Sequence, residues 1–218
     1  MPTPDLTLYH CPGACSQVSL FALEAAGLEY RLELVDLKRN AQTTPTYLGL
    51  SPLGKVPLLV IDGHPLTEQV AILTYVSQLR PQAGLLPSAG TPLASARSNE
   101  GLAYCSGTLH PIVRGIVNPA RLTTGDVEGV RERAMLLAVK AFGHADRRIG
   151  AEGWWLEQPS VVDVYLHWAF MTAVKGGLYG SSFPFLQALT RRLQDRPGFK
   201  NMLELETASQ RALECSLP

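Results

Sequence analysis

Apolar and polar positions change their period partway along this chain. Residues 6–9 form a short apolar run that reads as a strand. Residues 16–26 follow a helical period and close on Gly27, the residue best suited to a left-handed helix cap. Tyr30, Leu32 and Leu34 alternate with charged residues, the signature of a second strand. Residues 38–50 are polar and irregular, and no element is predicted there. Residues 56–61 form an unbroken apolar run, ended by the turn Asp62-Gly63-His64-Pro65 and a brief return strand at 65–67, which together predict a hairpin. A helix is expected over 69–79, with Val70, Ile72, Leu73, Tyr75, Val76 and Leu79 covering a broad apolar face.

Residues 81–92 carry three prolines and two glycines and read as a connector. Beyond it the strand period disappears. Helical patterns run over 93–117, 127–149, 161–175, 183–195 and 199–213, and Ser160 with Asp163 has the spacing of a capping box. Trp154, Trp155, Tyr165, Trp168 and Phe170 have the spacing of a buried face, so they are expected in the core. The order βαβ, ββα, then helices only predicts an α/β domain at 1–82, a linker at 83–92 and an all-α domain at 93–218.

The 218 residues carry 19 basic and 19 acidic side chains, so no net field recruits nucleic acid or an anionic membrane. Neither a secretory leader nor an apolar run of spanning length is evident, and a cytoplasmic location is expected. The four cysteines, Cys11, Cys15, Cys105 and Cys215, are too sparse for a disulfide framework and lack the pairing of zinc ligands. Reduced thiols and no metal are expected.

Two of those thiols, in Tyr9-His10-Cys11-Pro12-Gly13-Ala14-Cys15-Ser16, stand where the first strand gives way to a helix. A thiol at a helix N-terminus meets the positive end of the macrodipole and backbone N–H groups that lack intrahelical partners, and both favour the thiolate. Glu68-Gln69 opens another predicted helix, offering N–H groups to an anion and a carboxylate to an ammonium. Val56-Pro57 enters a strand, and proline is the residue for which a cis bond is accessible.

These residues resemble the cytosolic glutathione transferases, most closely the bacterial beta class, over nearly the whole length. The markers are Pro12-Gly13-Ala14-Cys15-Ser16, Ser51-Pro52-Leu53-Gly54-Lys55-Val56-Pro57, Leu66-Thr67-Glu68-Gln69-Val70-Ala71-Ile72 and Ser160-Val161-Val162-Asp163-Val164-Tyr165-Leu166. The resemblance implies a thioredoxin-like N-terminal domain that holds glutathione as co-substrate. It also implies a helical C-terminal domain that shapes the acceptor pocket, and a homodimer. By the same resemblance Cys15 faces the glutathione sulfur, and His110, followed by Pro111, is a second catalytic residue. Val56, at a cis Pro57, pairs with the cysteinyl backbone of glutathione, Glu68 and Gln69 hold its γ-glutamyl end, and Arg39 and Lys55 meet its glycyl carboxylate. Cys11 is an alternative thiol, because a Cys-Pro at this loop is similar to that of omega-class transferases and glutaredoxins. The Ser160–Asp163 helix start is read as structural.

The activity expected is attack of the glutathione thiolate on a small electrophile. Three other readings stay open: thiol–disulfide exchange through Cys15, a non-catalytic binding protein on the same scaffold, and a specialised isomerase, dehalogenase or ether-cleaving enzyme. Fold does not choose among them.

Overall fold

The structure is a computed structural model and describes residues 3–87, 90–150 and 153–215. The chain packs into two compact units. One takes in the chain up to Leu85 and again from Asp195, and the other runs Leu86–Gln194. Residues 93–218, grouped together in the sequence reading, therefore divide between the two. Residues 88–89 of the expected linker and 216–218 lie outside the described residues.

The first unit is built on four strands, β1 (Leu6–His10), β2 (Arg31–Leu34), β3 (Leu58–Ile61) and β4 (His64–Thr67), in the order β2-β1-β3-β4. β1 runs parallel to β2 and antiparallel to β3, and β3 and β4 form the hairpin. The register Ile61↔His64 leaves a two-residue loop, Asp62-Gly63, with φ of 49° and 82°. Both values are left-handed, as such a turn requires, so β4 starts at His64 rather than at Pro65.

Helix α1 (Ser16–Ala25) buries Val18, Leu20, Phe21 and Leu23. It packs on β1, on α3 (Gln69–Leu79) and on α9 (Pro197–Cys215), the last helix of the chain. Phe21 and Phe199 meet with ring centroids 6.3 Å apart. The stretch predicted to be irregular holds a short helix, α2 (Pro45–Leu50). Thr44 caps it, accepting the Tyr47 N–H at 3.4 Å, and Pro45 takes the first helical position. With only Tyr47 buried, α2 shows no apolar period and was invisible to one. It covers a small cluster of Val35, Tyr47 and Leu58.

The second unit consists of α4 (Pro92–Ala103), α5 (His110–Val117), α6 (Val127–Ile149), α7 (Val161–Lys175) and α8 (Pro184–Gln194). The helix predicted over 93–117 is broken by a π-helical segment, Tyr104–Leu109. Pro111 has no N–H for the Gly107 carbonyl, and a wider turn accommodates its ring. At the start of α7, Asp163 accepts from Ser160 N (2.8 Å), Ser160 Oγ (2.7 Å) and Trp155 N (2.7 Å), the expected capping arrangement. Burial pushes the Asp163 carboxyl up to about 6 in spite of those donors. Among the described residues no helix is long and apolar enough to cross a membrane.

A candidate thiol site at the start of α1

The Tyr9–Ser16 segment leaves β1 and turns tightly into α1, with the Ala14 N–H on the Cys11 carbonyl at 3.0 Å. Cys15 takes the N-cap position. Its side chain is 8 % exposed and its thiol donates to the Val56 carbonyl at 3.5 Å. The Val56–Pro57 bond is cis. These residues, expected to act together, are in contact.

Gln69 joins them from a direction the sequence did not suggest. Its side chain turns inward and is 5 % exposed. With the amide oriented so that both ends are satisfied, Nε2 donates to the Cys15 carbonyl at 3.1 Å, and Oε1 accepts from Ser19 N (3.3 Å) and Ser19 Oγ (3.0 Å). The opposite orientation would set two carbonyl oxygens against each other. The amide therefore ties α3 to the first turn of α1. Glu68, just before it, is exposed and sits at φ 70°, a left-handed conformation unusual for a residue with a side chain.

A further network lies beneath the loop. His10 is fully buried, with Nδ1 2.8 Å from Ser16 Oγ and Nε2 3.0 Å from Glu206 Oε1 of α9. The second contact is close but bent away from the N–H axis, so it is electrostatic rather than a well-aligned hydrogen bond. The other carboxylate oxygen of Glu206 accepts the Gly13 N–H at 2.7 Å. Ser16 Oγ also accepts the Cys11 N–H at 3.2 Å. The sequence reading missed all three residues. The available signal was Glu206 itself, a carboxylate in register with the buried Phe199, Met202 and Ser209 of α9.

The other expected residues are dispersed around this centre. Arg39 is exposed and pairs with Asp36 at 3.5 Å. The Lys55 side chain is exposed, while its carbonyl accepts from Tyr47 Oη (2.8 Å) and Ser51 Oγ (3.1 Å) and so holds the loop before Val56. Cys11 is half-buried. Burial pushes its thiol up; the Leu37 N–H opposes, the Asp36 and Glu206 carboxylates add to the rise, and Lys38 opposes. None of the four cysteines is in a disulfide, and no cluster of His, Cys, Asp and Glu among the described residues is arranged to hold a metal.

His110 belongs to the second unit, where it opens α5 immediately after the π-helical segment. Its Nδ1 lies 2.9 Å from the hydroxyl of the buried Tyr165, and its ring packs against Trp168 with centroids 4.8 Å apart. Both partners come from α7 and fix the plane of the imidazole.

A thiol at a helix start beside a strand entered through a cis proline, on a β2-β1-β3-β4 sheet, defines a thioredoxin-like thiol site. Residues 4–78 match the family model described as glutathione S-transferase, N-terminal domain. The chain is 30 % identical over 194 residues to glutathione S-transferase GST-4.5 of Xanthomonas campestris pv. campestris, covering 86 % of this chain and 92 % of that one. It is also 30 % identical over 184 residues to a maleylacetoacetate isomerase of Pseudomonas aeruginosa, covering 82 % and 86 %. A glutathione transferase homologue from Sulfitobacter, solved with bound glutathione, superposes with a TM-score of 0.84 at 27 % identity, covering 92 % and 97 %. The chain belongs to the cytosolic glutathione transferase family.

Proposed function

We propose that this glutathione transferase holds glutathione on its first unit and activates the thiol for attack on a small electrophile. The carbon–sulfur bond forms as the electrophile loses its leaving group or takes up the electron pair. The observation that carries the reading is Cys15, at the N-cap of α1 with its thiol on the Val56 carbonyl of a cis Val56–Pro57 bond. A sulfur anion at this point gains from the helix dipole, and Cys15 can donate a hydrogen bond to it.

In this reading the Val56 N–H and C=O pair with the peptide backbone of glutathione. Glu68 meets its ammonium group, and the backbone N–H of Gln69 serves the adjacent carboxylate, the Gln69 side chain being held by α1. Arg39 and Lys55, both exposed cations, serve the glycyl carboxylate. His110, oriented by Tyr165, is assigned as a hydrogen-bonding imidazole. The location is cytoplasmic, a reading supported by thiols outside any disulfide. A homodimer is supported by α6, whose Leu136 and Val139 are 66 % and 57 % exposed.

Titration calorimetry with glutathione, paired with a turnover assay on an aryl chloride, tests the reading. Saturable binding with release of chloride is expected. No heat at millimolar glutathione would overturn it. Thiol–disulfide exchange is the second reading, favoured by a cysteine in contact with Val56. The similarity to a maleylacetoacetate isomerase makes a glutathione-dependent isomerisation a further electrophile class to assay.

A further inference from the structure

The second unit carries a cavity of about 660 Å³ that has no part in the function proposed above. The start of α4, the end of α6 and the loop before α7 form its walls. Arg97 in its wall lies thirteen residues before His110, roughly 20 Å of helix, so the cavity is separate from the place of His110. Leu136 and Val139, the exposed pair offered to a second subunit, sit about two and a half turns of α6 or more before Arg148.

The charges of the wall do not all cancel. Arg148 gives two guanidinium nitrogens to Glu100, at 3.0 and 3.2 Å, and lies over the Trp155 ring, 4.3 Å from its centroid. Tyr104 stacks on the same ring at 5.0 Å. These groups satisfy one another and make a fixed side. Thr91 accepts the Ala94 N–H at 3.2 Å and Pro92 has no N–H to offer, so the start of α4 is not itself the anion site. Arg97 and Glu157 remain. Both line the cavity, both are exposed, and neither has a hydrogen-bond or ion-pair partner among the described residues. Glu157 sits at φ 65°, a left-handed conformation that suits glycine better than a residue with a side chain. Leu93, Trp154 and Leu156 give the same cavity its apolar surface.

We propose that this cavity binds a short zwitterionic peptide with apolar side chains, its carboxylate on Arg97 and its ammonium on Glu157. A lone anion would suit Arg97 but face Glu157, and a lone cation would meet the reverse, whereas a ligand with one charge of each sign complements both. The planar fork of Arg97 matches a carboxylate, and a carboxylate at Glu157 accepts from an ammonium. The apolar side chains of the peptide release water from Leu93, Trp154 and Leu156. The volume falls in the range of small-ligand pockets and exceeds what a single amino acid fills. The strained backbone of Glu157 is then a cost retained for its carboxylate.

The test is titration calorimetry of leucylphenylalanine into the parent, Arg97→Gln and Glu157→Gly, without glutathione. Saturable binding to the parent is expected, and each substitution should weaken it about fivefold or more, the loss of one charge-assisted contact. The melting temperature of Glu157→Gly should hold or rise, because glycine takes this φ without strain. N-acetyl-leucylphenylalanine has no ammonium and should bind the parent and Glu157→Gly alike. Leucylphenylalanine amide has no carboxylate and should bind the parent and Arg97→Gln alike. No saturation by about 10 mM dipeptide overturns the proposal. So does binding that neither substitution weakens, since the dipeptide would then sit elsewhere on the protein. Should a variant fail to fold, the three ligands on the parent decide: weaker binding of both blocked forms is expected, and equal binding of all three overturns the proposal. With glutathione absent, no result depends on whether the first unit binds it.

Discussion

The Gln69 amide nitrogen lies 3.1 Å from the Cys15 carbonyl oxygen, joining the start of α3 to the residue at the start of α1. The two helix N-termini proposed to meet glutathione are thus held to each other by one buried side chain. A neighbour with shorter reach would leave the Cys15 carbonyl and the Ser19 N–H and hydroxyl without this partner.

Gln69→Ala is therefore expected to lower stability by about 0.5–1.5 kcal/mol, the net worth of a buried hydrogen bond, since the Val18 N–H still serves the Cys15 carbonyl at 3.0 Å. Gln69→Glu should not rescue it, because a carboxylate cannot donate to the Cys15 carbonyl. Urea denaturation of the three proteins checks both points, and a Gln69→Glu variant as stable as the parent would contradict the contact.

Cys15→Ser separates the two chemistries open to the site. Serine keeps a hydrogen-bond donor, so conjugation is expected to fall by no more than about tenfold, the cost of a weakened bond. Reduction of a glutathione mixed disulfide should drop to the rate without enzyme, since the hydroxyl is no substitute for a thiolate. Parallel steady-state assays read both, and loss of conjugation together with exchange would make Cys15 a nucleophile.

Acid sensitivity should trace in part to His167. Its ring is buried, and with the Thr190 hydroxyl donating to Leu186 O (3.1 Å), Thr190 Oγ1 accepts from His167 Nδ1 at 3.1 Å. Burial lowers its pKa from 6.5 to about 4, with the charge of Lys175 adding to the effect. A depressed folded value means that the unfolded chain takes up the proton first. Stability from this group is present above about 6.5 and is lost as pH falls towards 4, by about 3 kcal/mol in all. Asp163 acts in the opposite sense, because its raised value lets the folded state bind the proton first as pH falls through about 6. The comparison of His167→Gln with the parent isolates the histidine. Denaturation midpoints at pH 7 and 4.5 should differ less in the variant.

Gly101 fixes how α4 meets the loop before α7. A Cβ there would come within 2.6 Å of Trp155 Nε1 and 2.8 Å of Val162 Cγ1, and both residues are buried. Gly101→Ala is expected to destabilise by about 1–3 kcal/mol despite alanine's better helix propensity. Thermal melting checks this, and a rise in melting temperature would show that Trp155 can retreat.

Much of this was legible along the chain, because periodicity reports burial. β1, β2, β3, α1 and α3 were foreseen within a residue or two, and the cis Val56–Pro57 bond matched its motif. Residues that act through reach were not. Gln69 was expected to turn its amide to a ligand, but a long, flexible side chain next to α1 finds the nearer carbonyl of Cys15. His10 was read only as part of the loop motif after the first strand, because its partner Glu206 comes from the far end of the chain. Spacing along one element cannot reveal a contact made by another, and the π-helical turn before His110 left no trace beyond Pro111.

That the last helix lies against the first also orders events at the ribosome. The sheet and α1 emerge early, yet the Gly13 N–H and the His10 ring meet the Glu206 carboxylate only once α9 has been translated. Until then a nascent chain carries Cys11 and Cys15 on a loop still missing one wall, and a prematurely ended message would leave it that way.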